Sequence, residues 1–131
     1  MDARSGQSSL RGWPRRADAD GSPAGPFGKV PSEVSLEHAQ ETARHTALAI
    51  LGSLKRQLGD LDRVSAWLMV YGMANAEPGY PQTTNAINGC SDLIRELYGD
   101  EVGQHARITV GMAALPLNNA VTIAAEVEID G

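Results

Sequence analysis

The chain has 131 residues, of which 42% are hydrophobic, and a net charge of −5; one domain of this length buries roughly two-thirds of its unfolded surface, leaving no room for a second core. Its single cysteine, Cys90, excludes an internal disulfide and a cysteine-based zinc cluster and fits a reducing compartment. The apolar runs fall short of the ~20 residues that cross a bilayer. From Leu36 onward six Lys/Arg stand against twelve Asp/Glu, which repels a nucleic-acid backbone. The expectation is a soluble, cytoplasmic protein with no membrane association and no nucleic-acid partner.

Residues 1–34 contain Pro14, Pro23, Pro26 and Pro31 among many Gly, Ser, Asp and Arg, which interrupt any apolar period, so little regular structure is expected there. Arg11, Arg15 and Arg16 cluster near Trp13 and read as a solvated tail rather than an RNA contact. The domain itself is expected over 35–131. A first helix starts at Ser32 or Ser35, either of which can cap it, with Leu36, Ala39, Ala43, Ala47, Ile50, Leu51, Leu54 and Leu58 at three-to-four spacing. Gly59 is placed to end it.

A strand follows from Val64 to Ala74, with Val64, Ala66, Leu68 and Val70 on one side and Trp67, Met69, Tyr71 and Met73 on the other. Both sets are apolar, so the strand is buried on both faces. Helices can cover one face; the second calls for another chain. A second helix is predicted from Thr83 to Tyr98, stopped by Gly99. Two more strands follow, Arg107 to Ala114 and Ala120 to Ile129. In the last, Val121, Ile123, Ala125, Val127 and Ile129 alternate with Thr122, Ala124, Glu126 and Glu128, a half-buried strand with one polar face.

This element order suits several α/β folds, but the local wording is more specific. Asn88-Gly89-Cys90-Ser91-Asp92-Leu93, then Gly103-Gln104-His105-Ala106-Arg107, then Val110-Gly111-Met112-Ala113-Ala114-Leu115-Pro116 resembles the C-terminal half of the RidA/YjgF family. Glu33 to Ala39 resembles the opening of that family's first helix. The resemblance covers about residues 28 to 130. It implies an α+β, chorismate-mutase-like fold with a mixed sheet and two helices on one face. It also implies a homotrimer with clefts between subunits, and hydrolysis of enamines or imines such as 2-aminoacrylate to a 2-keto acid and ammonia. Ribonuclease activity and inhibition of translation belong to older descriptions of the family. Its members open with a two-stranded hairpin that supplies a site tyrosine, and no such pair is legible before Ser35. That start reads as truncated, misassigned or diverged.

Arg107 matches the family's carboxylate-binding position, where a planar, permanently charged guanidinium grips a carboxylate with two hydrogen bonds; the competing reading is a strand arginine paired with a nearby acid. The resemblance gives Asn88 a substrate-orienting amide and puts Gly6, in Ser5-Gly6-Gln7, among the substrate-binding residues. His105 lies two residues from Arg107 and so on the same strand face. It reads either as an acid/base group or, more simply, as an edge histidine bonded to backbone. His38 and His45 receive no role. Where the family carries a glutamate that activates water, this chain has Thr122, whose hydroxyl holds a water but is a poor base. Glu126, four residues along the strand, lies ~13 Å away and is no substitute. A noncatalytic binder of small keto or imino acids is therefore the main alternative. No phosphate loop, serine-hydrolase motif or metal-ligand spacing appears, so no cofactor or metal is expected.

Overall fold

A computed structural model describes residues 7–12 and 25–130. Strand β1 (Gln7–Gly12), helix α1 (Leu36–Leu58), strand β2 (Val64–Asn75), helix α2 (Thr83–Val102), strand β3 (Ala106–Met112) and strand β4 (Val121–Asp130) follow in order. The four strands form a mixed sheet ordered β1-β4-β2-β3. β4 runs antiparallel to both β1 and β2, whereas β3 runs parallel to β2. The parallel pair requires a crossover, which α2 provides.

Helix α1 begins where the sequence predicts. The Ser35 hydroxyl accepts a hydrogen bond from the His38 amide at 3.1 Å, satisfying one of the amides left over at a helix start. At the other end Gly59 adopts φ 82° and returns its N–H to the Lys55 carbonyl. The predicted stripe, Ala39, Ala43, Ala47, Ile50, Leu51 and Leu54, is buried. Helix α2 packs so closely on α1 that a Cβ on Gly89 would lie 1.9 Å from the Gln40 carbonyl oxygen. Only glycine fits at that crossing.

Three sequence expectations are corrected. Gly99 was expected to stop the second helix. It does leave helical geometry, at φ 75° and ψ −178°, yet the chain turns once more to Val102 and the Gly103 N–H bonds back to the Gly99 carbonyl. Strict alternation along β2 also fails, because register shifts between Val64 and Ala66 and between Trp67 and Met69 each insert one residue. As a result Val64, Trp67 and Val70 all face the helices, with Trp67 1% exposed, while Leu68 is 39% exposed.

The third correction concerns residues before Ser35. Gln7 to Gly12 pair with Asp130 to Ala125, so one strand is present where little regular structure was expected. Val30 and Val34 are buried in the same core as the helices, which carries the domain upstream of residue 35. Val30 is bound on both sides of its peptide, its N–H to the Asn75 carbonyl at 2.8 Å and its carbonyl to the Glu77 N–H at 2.9 Å. Lys29 beside it donates from Nζ to Asn75 Oδ1 at 3.0 Å and to the Ala113 carbonyl. Asn75 in turn donates to Asn118 Oδ1 at 3.0 Å, so a polar stitch joins this segment to the end of β2 and the loop before β4.

The helices cover one face of the sheet. On β4 the apolar set Val121, Ile123, Ala125, Val127 and Ile129 is buried against them, as expected. The opposite face of β2 and β3 is not covered by the described residues: Ile108 is 51% and Val110 43% exposed, with Met112 beside them and Met73 alongside on β2. No helix among the described residues is long and apolar enough to cross a membrane.

Candidate functional site

Alternation along β3 separates its side chains into two groups. Arg107, Thr109 and Gly111 face α2: the Thr109 hydroxyl lies 2.7 Å from that of Thr84, and a Cβ on Gly111 would meet the Thr83 side chain at 3.2 Å. Because β3 is the outer strand of the sheet, these side chains line an open groove between strand and helix. On α2, Thr84, Asn88, Ser91 and Arg95 recur at three-to-four spacing and form the facing stripe.

At the centre of this groove Arg107 is half-buried, and its Nη1 donates to the Ser91 hydroxyl at 3.2 Å. Burial lowers its pKa from the ordinary arginine value and the Arg95 charge adds to that, with Cys90 and Asp92 acting the other way. Its remaining N–H groups have no partner among the described residues, so a fork is available for a carboxylate. Ser91 also lies 2.9 Å from His105 Nε2, while His105 Nδ1 lies 2.7 Å from the Gly103 carbonyl. His105 is thus bonded to backbone, as the simpler sequence reading has it. Asn88 sits one turn before Ser91 on the same stripe, and its amide donates to Asn85 Oδ1 at 3.4 Å. Cys90, fully buried behind this row, has its thiol pushed up to about 12 by burial, with Arg107 opposing.

Thr122 lies elsewhere. It pairs with Met73 on the uncovered face of the sheet and lines a cavity of about 360 Å³ with Met73, Met112, Leu115, Pro116 and Asn119. Arg107 and Thr122 therefore project from opposite faces of the sheet.

No family model matches the sequence. Protein TCP17 of Trypanosoma cruzi is 37% identical over 103 residues, 79% of this chain and 64% of that protein; the chain thus spans less than two-thirds of that relative. Among solved structures, the Agrobacterium tumefaciens protein Atu1372, of unknown function, is 33% identical with a TM-score of 0.87, matching 98% of this chain and 80% of that one. YyfB of Yersinia pestis, a member of the conserved Rid protein family, is 16% identical with a TM-score of 0.54 over 91% of this chain and 77% of its own. The chain therefore shares its fold with structures of the Rid/YjgF type. Its α+β, chorismate-mutase-like fold follows from the same matches.

Of the residues singled out in the sequence, the fold brings Arg107, His105 and Asn88 to one groove and puts Thr122 on the other side of the sheet. Gly6 lies outside the described residues. Ser91 carries no role in the sequence reading. It reads as an ordinary mid-helix serine because both its partners, His105 and Arg107, come from a distant part of the chain. Lys29 was passed over too. It borders a second cavity of about 450 Å³, shared with Glu77, Tyr80 and Thr83, and is engaged there by Asn75 and Ala113.

Proposed function

We propose that this protein is a member of the RidA/YjgF family that binds small 2-imino or 2-keto acids through Arg107 and hydrolyses the imine or enamine form, 2-aminoacrylate being the type case, to a 2-keto acid and ammonia. The observation that carries this reading is the half-buried Arg107 fork, held from one side by Ser91 and open on the other. A carboxylate docked there places the adjacent C=N carbon at the mouth of the groove, near Asn88. Water adds to that carbon, the C–N bond breaks, and nitrogen leaves with its protons as ammonia. Thr122 orients water rather than deprotonating it, so turnover is slow.

The assembly belongs to the same proposal. Three copies packed through their uncovered sheet faces bury Ile108, Val110 and Met112 and bring the Thr122 cavity of one chain toward a neighbour's groove. Sizing in solution is expected to give three times the 13.9 kDa chain. The setting proposed is the cytoplasm.

A second reading, noncatalytic binding of a small keto acid, is favoured by Thr122 in an apolar wall where a base would be needed. The acidic composition argues against RNA cleavage or translational inhibition. The test is to generate 2-aminoacrylate in vitro and follow keto-acid release. Release above the spontaneous rate that is lost on Arg107→Ala supports hydrolysis, on the order of 100-fold for a charge-assisted carboxylate contact. Binding of 2-oxobutanoate without faster release supports the noncatalytic reading.

A further inference from the structure

Ser91 has an unusual position for a serine. It is 1% exposed in the middle of α2, yet its hydroxyl touches the groove's cation on one side and its imidazole on the other. The direction of each hydrogen bond is fixed by chemistry. The Gly103 carbonyl only accepts, so His105 Nδ1 carries a proton. Arg107 only donates, so it occupies a lone pair of the Ser91 oxygen and leaves the hydroxyl hydrogen to be placed elsewhere. Neutral His105 offers a lone pair at Nε2, 2.9 Å away, which accepts that hydrogen. The row reads, donor to acceptor, Arg107 to Ser91 to His105, with His105 also donating to Gly103.

We propose that Ser91 and His105 are positioning residues that hold the Arg107 guanidinium in its carboxylate-binding pose, and that the hold requires the neutral Nδ1–H form of His105. This rests on the reading of Arg107 as the carboxylate anchor and adds a regulation of it. A nucleophilic serine with a histidine base would show a similar pair of contacts. Burial of Ser91 inside a helix denies a substrate carbonyl access to its oxygen, and that oxygen already accepts from a cation.

Protonation of His105 reverses the logic. Nε2 becomes a donor, two donors then converge on the Ser91 oxygen, and the hydroxyl hydrogen loses its acceptor. Three positive groups then share the groove end, Arg95 from α2 and Arg107 and His105 from the β3 side. Asp92 on α2 is the acid felt by Arg107, and the buried Cys90 thiol stays neutral. Burial already favours neutral imidazole, with the Arg95 and Arg107 charges acting in the same direction against the Gly103 hydrogen bond.

The experiment measures 2-oxobutanoate affinity of the full chain by calorimetry from pH 7.5 down to pH 5, where this ligand stays ionised, for wild type, Ser91→Ala and His105→Gln. Glutamine supplies a neutral acceptor near the Nε2 position at every pH. Wild-type affinity is expected to weaken on the order of 10-fold as His105 protonates. His105→Gln should remain tight and flat with pH, and Ser91→Ala should be weaker by a similar factor and flat. Wild-type affinity in Ser91→Ala, or an acid limb that survives in His105→Gln, overturns the proposal. A nitrogen-15 titration of unmutated protein supplies an independent reading. It should show the Nδ1–H tautomer at pH 7.5 and an Arg107 Nε resonance that moves as His105 titrates. The Nε2–H tautomer, or an Arg107 signal indifferent to that titration, also overturns it. If wild type fails to bind 2-oxobutanoate at all, the keto-acid reading falls, and the Arg107 resonance alone decides the positioning.

Discussion

The two faces of β3 carry opposite chemistry within one strand. Toward α2 it presents Arg107 and Thr109, each matched to a hydroxyl on the helix; away from α2 it presents Ile108, Val110 and Met112, which no other described residue covers. The first face is positioned within one chain, since Ser91 and Thr84 on the helix hold Arg107 and Thr109 while the rest of the Arg107 fork stays open. The second is apolar and unmatched, a surface that stays exposed only at a cost unless another surface meets it. On the proposed reading, ligand recognition would rest on the single chain, while water activation near Thr122 would need the assembled protein.

The strongest way to break this contrast is to charge the open face. Ile108→Asp is expected to abolish assembly, giving a folded monomer by light scattering, while 2-oxobutanoate binding at the Arg107 groove survives. Loss of binding along with assembly would mean that the groove itself needs a neighbour. Restoring a carboxylate at the other pole comes next: Thr122→Glu is expected to raise 2-aminoacrylate turnover by about 100-fold, the usual contribution of a positioned base, with little change in keto-acid affinity. An unchanged rate would place the activating water elsewhere.

The smallest effect concerns the stability of the α2-facing side. The folded pKa of His105 lies below its ordinary value of 6.5, so the unfolded chain takes up its proton first as pH falls. The contribution of neutral His105 is full above pH 6.5, declines as pH drops from there through the lowered folded value, and is level below it. Urea midpoints of wild type relative to His105→Gln should follow that course; a difference constant between pH 7.5 and pH 5 would remove His105 from the balance.

How much of this was legible in the sequence depended on whether the signal was periodic or relational. The stripe of α1 and its Ser35 and Gly59 ends are local patterns that appear as expected, and so does the alternation of β4 except at Ala124, which was expected on the polar face and is fully buried. Strand β1 escaped notice because Gln7-Ser8-Ser9-Leu10-Arg11-Gly12 has one large apolar residue, and its existence depends on the β4 edge it joins. The bulges in β2 were invisible because each residue there is acceptable on either face until the partner register is known. Arg107 was found through the wording around it. Ser91 was not, since a serine acquires meaning only from what the fold sets beside it.

The Lys29 stitch bears on how the protein can be cut and joined. A fragment beginning at Ser35 would remove Val30 from the core and strand Asn75, which is almost fully buried, without the ammonium its side-chain oxygen accepts from. Buried amides left in that condition cost on the order of 1–3 kcal/mol, before the lost packing is counted. A fusion partner or affinity handle therefore belongs upstream of Gln7, where both β1 and the segment threading between β2 and the final loop are left whole.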